Sequence, residues 1–150
     1  MRVFDVIAEL ADAAGEELGV SDWIVVDQER IGLFADATGD HQWIHVDVDK
    51  AASGPFGGTI AHGLLTLSLL PAIQHQIYRV DNVAMAVNYG LDKVRFPAPV
   101  PAGSKVRGRS RIAEVALLEG AVQATLSTVI EIEGGEKPAC IVESIVRYIA

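Results

Sequence analysis

The chain has 150 residues, 50% of them hydrophobic and 21% charged, which predicts one domain spanning residues 1–150 with a sizeable core and excludes a disordered chain. The formal net charge of −8 argues against a nucleic-acid partner, because a phosphate backbone needs a basic footprint, whereas a small anionic ligand answers to local charge. A single cysteine, Cys140, rules out an intrachain disulfide; with no long apolar signal core and no apolar run of membrane-spanning length, the expectation is a soluble cytoplasmic protein without a membrane partner.

Within residues 4–18, Phe4, Ile7, Leu10 and Ala11 share one helical face and Asp12, Glu16 and Glu17 lie outside it, which predicts an amphipathic helix ending near Gly19. Residues 22–26 read as a short strand. Residues 27–37 read as a helix with Asp27 as N-cap and Ile31, Phe34 and Ala35 on its apolar face. Gly39 is then the left-handed residue that stops it. Asp40 and His45 follow in an ordered turn, a common position for groups that act on a ligand. Asp47 reads as the cap of a brief helix through residue 52, and the glycines and proline of residues 54–58 mark a loop. In residues 62–78, Leu64, Leu65, Leu67, Leu69, Leu70 and Ile73 cover nearly every side of a helix, which predicts burial on most faces. Pro71 is expected to kink that helix or split it in two.

The second half reads as strands. Residues 82–88 and 91–96 are two, separated by Gly90, which marks a bulge with or without a ligand beside it. After the proline-rich break at residues 97–103, strands over residues 104–118 and 121–133 are joined by a tight turn at Glu119 and Gly120, and residues 139–149 form the last. Lys105, Arg107, Arg109 and Arg111 alternate along one strand face, where they either meet an acidic ligand or pair with Glu131 and Glu133 across the sheet; pairing is the favoured reading. Strands not separated by helices indicate an α+β architecture, a sheet wrapped around one buried helix, rather than βαβ units. Long strands leave edges that need covering, so a homodimer joining two sheets is expected.

A carboxylate and an imidazole that converge on one water form a minimal general acid–base device, which Asp40 and His45 could provide. The plainer alternative is that Asp40 caps the turn and His45 is a satisfied polar neighbour. A metal site built from Asp40, His41 and His45 is disfavoured, because the i, i+4 histidine motif needs a helix to align both rings.

Phe34, Thr38-Gly39-Asp40, Ile44 and His45 resemble the signature of the MaoC-like (R)-specific enoyl-CoA hydratases, the hydratase 2 family. That signature runs from an aromatic residue through a short spacer, Thr or Ser, Gly-Asp-x-Asn-Pro and an aliphatic residue to His. The chain departs from it at Asn-Pro, which is Gln42-Trp43 here, and Trp43 is expected by its bulk to narrow or reshape the pocket. The resemblance continues through Gly54-Pro55-Phe56-Gly57-Gly58-Thr59-Ile60-Ala61-His62-Gly63 and covers most of the chain. It implies the hot-dog fold, an antiparallel sheet around a long buried central helix. It also implies hydration of trans-2-enoyl-CoA to (3R)-3-hydroxyacyl-CoA, and the reverse dehydration, in fatty acid metabolism. Asp40 and His45 would then orient the water, and the Gly63 backbone N–H would take the thioester oxygen. The alternative for Gly63 is that it only lets the helix pack closely on the sheet. Ile44, His62 and Gly90 are expected near the substrate, with His62 chiefly supporting the turn. The resemblance implies no metal and no separate cofactor, since coenzyme A or an acyl carrier protein arrives as part of the substrate. Rival readings on the same fold are an acyl-CoA thioesterase and a non-catalytic acyl-binding subunit.

Overall fold

The computed structural model describes residues 1–150. In chain order its elements are β1 (Arg2–Phe4), α1 (Glu9–Asp12), β2 (Glu17–Val20), β3 (Ile24–Val26), α2 (Gln28–Thr38), α3 (Trp43–Val46), α4 (Val48–Ala52), α5 (Gly63–Ser68) and α6 (Leu70–Ile77). β4 (Tyr78–Val80), β5 (Met85–Arg95), β6 (Ser104–Leu118), β7 (Ala121–Ile132) and β8 (Cys140–Ile149) follow. β2, β6, β7, β8 and β5 lie side by side in that order, and β3 also pairs with β6, making an antiparallel sheet of six strands. β1 and β4 form a separate parallel pair.

α5 and α6 lie against this sheet as the buried helix. Leu69 ends the first and opens the second, so the helix divides just before Pro71, which occupies the first turn of α6 where its missing N–H costs nothing. The contact with the sheet is close: a Cβ on Gly108 of β6 would lie 2.3 Å from Ile73 Cγ2. β7 and β8 alternate buried and half-buried residues, as a strand with one covered face requires. Two hydroxyl pairs lie inside: Ser110 with Thr128 at 2.7 Å, and Tyr78 with Tyr148 at 2.5 Å. Cys140 is fully buried, and its apolar surroundings push the thiol up to about 11.

Three expectations change. The helix expected over residues 4–18 shrinks to α1. Residues 17–20 instead add to the edge of β6, and the Gly15 amide bonds the Ile112 carbonyl at 2.7 Å. Backbone pairing with a strand some ninety positions away overrides a local helical period here. The two strands flanking Gly90 are one strand, β5, and the break survives as register shifts between Asn88 and Gly90 and between Leu91 and Lys93. The segment holding His45, expected as an ordered non-helical turn, is a single helical turn, α3.

The basic stripe on β6 pairs as expected for three of its members. Arg107 lies 3.1 Å from Glu131, Lys105 lies 4.0 Å from Glu133, and Arg109 bonds Glu17 at 2.8 Å with Glu131 at 3.5 Å. Arg111 makes no ion pair. No helix is long and apolar enough to cross a membrane.

Candidate active site

Local caps set the first half of the site. Asp27 Oδ1 accepts the Arg30 amide at 2.9 Å and starts α2. Gly39, at φ +82°, ends it by donating to the Ala35 carbonyl, a conformation that favours glycine. The chain therefore leaves α2 sharply at Asp40, an exposed carboxylate whose Oδ1 lies 3.3 Å from the Gln42 amide. One turn later His45 is buried, only 6% exposed.

His45 is held on three sides. Its Nδ1 lies 2.7 Å from the Ile60 carbonyl oxygen, which can only accept, so Nδ1 carries the proton and Nε2 keeps the lone pair. The Ile60 amide returns a bond to the Ile44 carbonyl at 3.0 Å, so half-buried Ile44 acts here through its backbone. Gln28 donates to the His45 carbonyl at 2.8 Å and accepts from the Thr59 hydroxyl at 2.5 Å, tying α3 to the segment that precedes α5.

His62 sits behind this histidine. The two imidazoles stack with centroids 3.8 Å apart and planes 23° apart, and the Phe34 ring centroid lies 4.9 Å from that of His62 at a tilt of 55°. By the same logic His62 Nε2 donates to the Asp40 carbonyl at 3.0 Å, which anchors the turn carrying the carboxylate. His62 Nδ1 is buried and has no partner.

Next along the chain, Gly63 opens α5, and its amide has no backbone or side-chain acceptor. A Cβ on Gly63 would lie 3.0 Å from the Phe96 ring. Gly63 and His45 line one cavity of about 300 Å³, with walls from Phe56, Ile60, Phe96, Val100 and other apolar residues. His62 and Trp43 are not on its wall. Trp43 packs outward against Gly54 and under the Lys50 ammonium, 4.6 Å from the ring centroid, so the expected narrowing of the pocket does not occur. Gly90 lies elsewhere, on a separate cavity of about 480 Å³ between α5, α6 and β5.

Asp40, His45 and His62 each offer a ligand atom within 4.8 Å of the others, which raises the question of a metal. The donor geometry does not fit one. His62 has committed Nε2 to Asp40 and His45 has committed Nδ1 to Ile60, and the in-plane lone pairs of stacked rings run side by side. They would have to meet at one point roughly 2.0–2.1 Å from each nitrogen to hold zinc. His41 takes no part: it is exposed, bonded to Asp36 at 2.9 Å, and that bond raises its pKa.

The model of the MaoC like domain matches residues 9–134. The chain belongs to this MaoC-like dehydratase family. Among family relatives, 3-hydroxyacyl-thioester dehydratase Z of Mycobacterium tuberculosis is 63% identical over 151 residues, spanning all of both chains. Among solved MaoC-like structures, the (R)-hydratase of A. caviae involved in PHA biosynthesis is 26% identical, with a TM-score of 0.69 over 88% of this chain and 96% of that one. The monoamine oxidase regulatory protein of Archaeoglobus fulgidus superimposes with a TM-score of 0.80 at 24% identity, over 99% of this chain and 96% of that one, and shows the fold alone. The MaoC-like chain is thus an enzyme of the hydratase and dehydratase kind, with the hot-dog fold.

Gln28 and Thr59 escape a reading of the MaoC-like sequence. They are 31 positions apart, and neither is part of a spacing pattern that announces a bond.

Proposed function

We propose that the protein interconverts trans-2-enoyl and (3R)-3-hydroxyacyl thioesters, with Asp40 and His45 managing the water and its protons. The observation that carries this reading is the arrangement around His45. A tautomer-fixed imidazole and an unpartnered Gly63 amide line one apolar cavity, and a carboxylate stands within 4.8 Å of the ring's ligand atom. A close relative named for 3-hydroxyacyl thioesters, and an (R)-hydratase among the structures it resembles, support it.

Hydration forms a bond from water oxygen to C3, moves one proton from that water to a base, and places one proton on C2. Two adjacent groups sharing one water can do both without net change in their own protonation. His45 Nε2 accepts a hydrogen from the water, and Asp40 holds the same water from the exposed side. Negative charge grows on the thioester oxygen as C3 is attacked, and the Gly63 amide is the donor free to meet it. Dehydration follows the same path in reverse. The acyl group arrives on coenzyme A or on an acyl carrier protein, and no metal or redox cofactor enters the steps.

The test follows loss of the conjugated enoyl-thioester absorbance with trans-2-enoyl-CoA. Wild type should turn over, and folded Asp40→Asn and His45→Gln variants should lose roughly 10²-fold or more in kcat. Unchanged rates in both variants would remove these residues from the mechanism.

A homodimer is proposed on separate grounds. β5 is at the sheet edge, and nearly all of its residues are exposed, including Met85, Val87, Tyr89 and Leu91 at alternate positions. A strand bare on both faces and along one edge needs a covering partner.

A further inference from the structure

Thr66 lies three residues beyond Gly63 on α5, so the two positions are neighbours on one helix face. It is 1% exposed, and its hydroxyl has no hydrogen-bond partner, not even the His62 carbonyl that its own amide uses at 3.2 Å. That is unusual, because a helical threonine commonly bonds the carbonyl one turn back and a buried hydroxyl left unmade is costly. The residue lines the same cavity as His45 and Gly63, and His45 and Thr66 are the two polar side chains on a wall that is otherwise apolar or glycine. Its oxygen is all but inaccessible in this rotamer, so a partner filling that cavity reaches the hydroxyl once Thr66 turns about its Cα–Cβ bond.

The chemistry of the proposed substrate limits that partner. The acyl part of an enoyl or 3-hydroxyacyl thioester carries polar atoms at two places only, the carbonyl at C1 and the oxygen that joins or leaves C3. The C1 oxygen is assigned to the Gly63 amide, and the chain beyond C3 is apolar. We propose that the Thr66 hydroxyl hydrogen-bonds the oxygen at C3, as attacking water in one direction and as the 3-hydroxyl in the other. It makes this oxygen's third contact, besides Asp40 and His45, and transfers no proton. The inference rests on the hydratase reading above.

Thr66→Val keeps the shape and removes the hydroxyl, whereas Thr66→Ser keeps the hydroxyl; Thr66→Ala is the fallback should valine not fold. The valine variant should melt no lower than wild type, since it removes an unpaired buried group, yet lose about tenfold in kcat/KM for trans-2-enoyl-CoA hydration. Serine should retain most of the rate. A second measurement uses the Asp40→Asn background, where turnover is suppressed. There the valine change should weaken binding of a (3R)-3-hydroxyacyl-CoA about tenfold and leave binding of the saturated acyl-CoA, which has no oxygen at C3, unchanged. Wild-type rates in Thr66→Val, or equal weakening toward both ligands, would overturn the role of Thr66 while leaving the Asp40 and His45 assignment standing. Absence of wild-type turnover would take down the hydratase reading and this inference with it, whereas full activity in Asp40→Asn would leave the hydratase reading standing and overturn the three-contact arrangement proposed here.

Discussion

His62 stacks on His45 and is itself met by the tilted ring of Phe34, and of the three rings His45 is the one that faces the cavity. Such a stack fixes an imidazole in two ways, since the neighbouring ring sets its plane and the Ile60 carbonyl sets its tautomer. Gly63 is the matching steric constraint on the other wall. An added methyl there would come within 3.0 Å of the Phe96 ring, which is partly exposed and has room to swing. Gly63→Ala should therefore fold, displace Phe96 within the shared cavity, and lower kcat/KM by about tenfold or more through misplacement of the thioester. Steady-state kinetics alongside a thermal melt will decide, and wild-type kcat/KM in a folded Gly63→Ala would show that close approach at this position is not needed. Asp40, His45 and Gly63 are legible in the sequence because they fall in a short block with a recognisable order. Gln28, Thr59 and Thr66 are not, because what marks them is a bond, or the lack of one, made across the fold.

Among elements, legibility follows the range of the interaction that decides each one. α2 runs between Asp27 and Gly39 as read, because both caps act within four residues. α4 begins at Asp47 for the same reason. The helix expected over residues 4–18 fails because β6 offers residues 17–20 a ladder of backbone bonds that no local pattern announces. The helix on the sheet adds a constraint of its own at Gly108. Its amide bonds Ser21 Oγ at 3.0 Å and its carbonyl accepts the Ser21 amide at 2.9 Å, so the backbone cannot easily retreat from Ile73. Gly108→Ala would place a methyl 2.3 Å from Ile73 Cγ2 and should destabilise the fold by about 1–3 kcal/mol, the usual cost of overpacking a core. A second change, Ile73→Leu, which removes the Cβ-borne methyl Cγ2 at similar volume, should recover part of that loss, because the two sites share this contact. Denaturant midpoints of the single and double variants test this; an unchanged midpoint in Gly108→Ala would mean that α6 moves freely on the sheet.

At the scale of the whole molecule the sheet has two unlike edges. The β6 side is occupied by the short strands β2 and β3, and Glu17 of β2 carries a charge paired with Arg109 of β6. Charge and short strands at that edge discourage further pairing. β5 is the opposite: an 11-residue strand, with Tyr89 56% exposed and Met85, Val87 and Leu91 beside it, and a bulge that bends it near Gly90. If a second copy covers this strand, the protein should sediment at twice its 16.0 kDa chain mass at micromolar concentration. Val87→Lys and Met85→Lys introduced together should then weaken association by at least tenfold, since the interface would bury like charges with no partner, while leaving secondary structure intact. The His45 cavity is lined without β5, so a change in oligomeric state alone does not remove the cavity walls. A wild-type protein that sediments as a monomer over this range would sink the dimer. It would also leave the exposed apolar strand to some other partner.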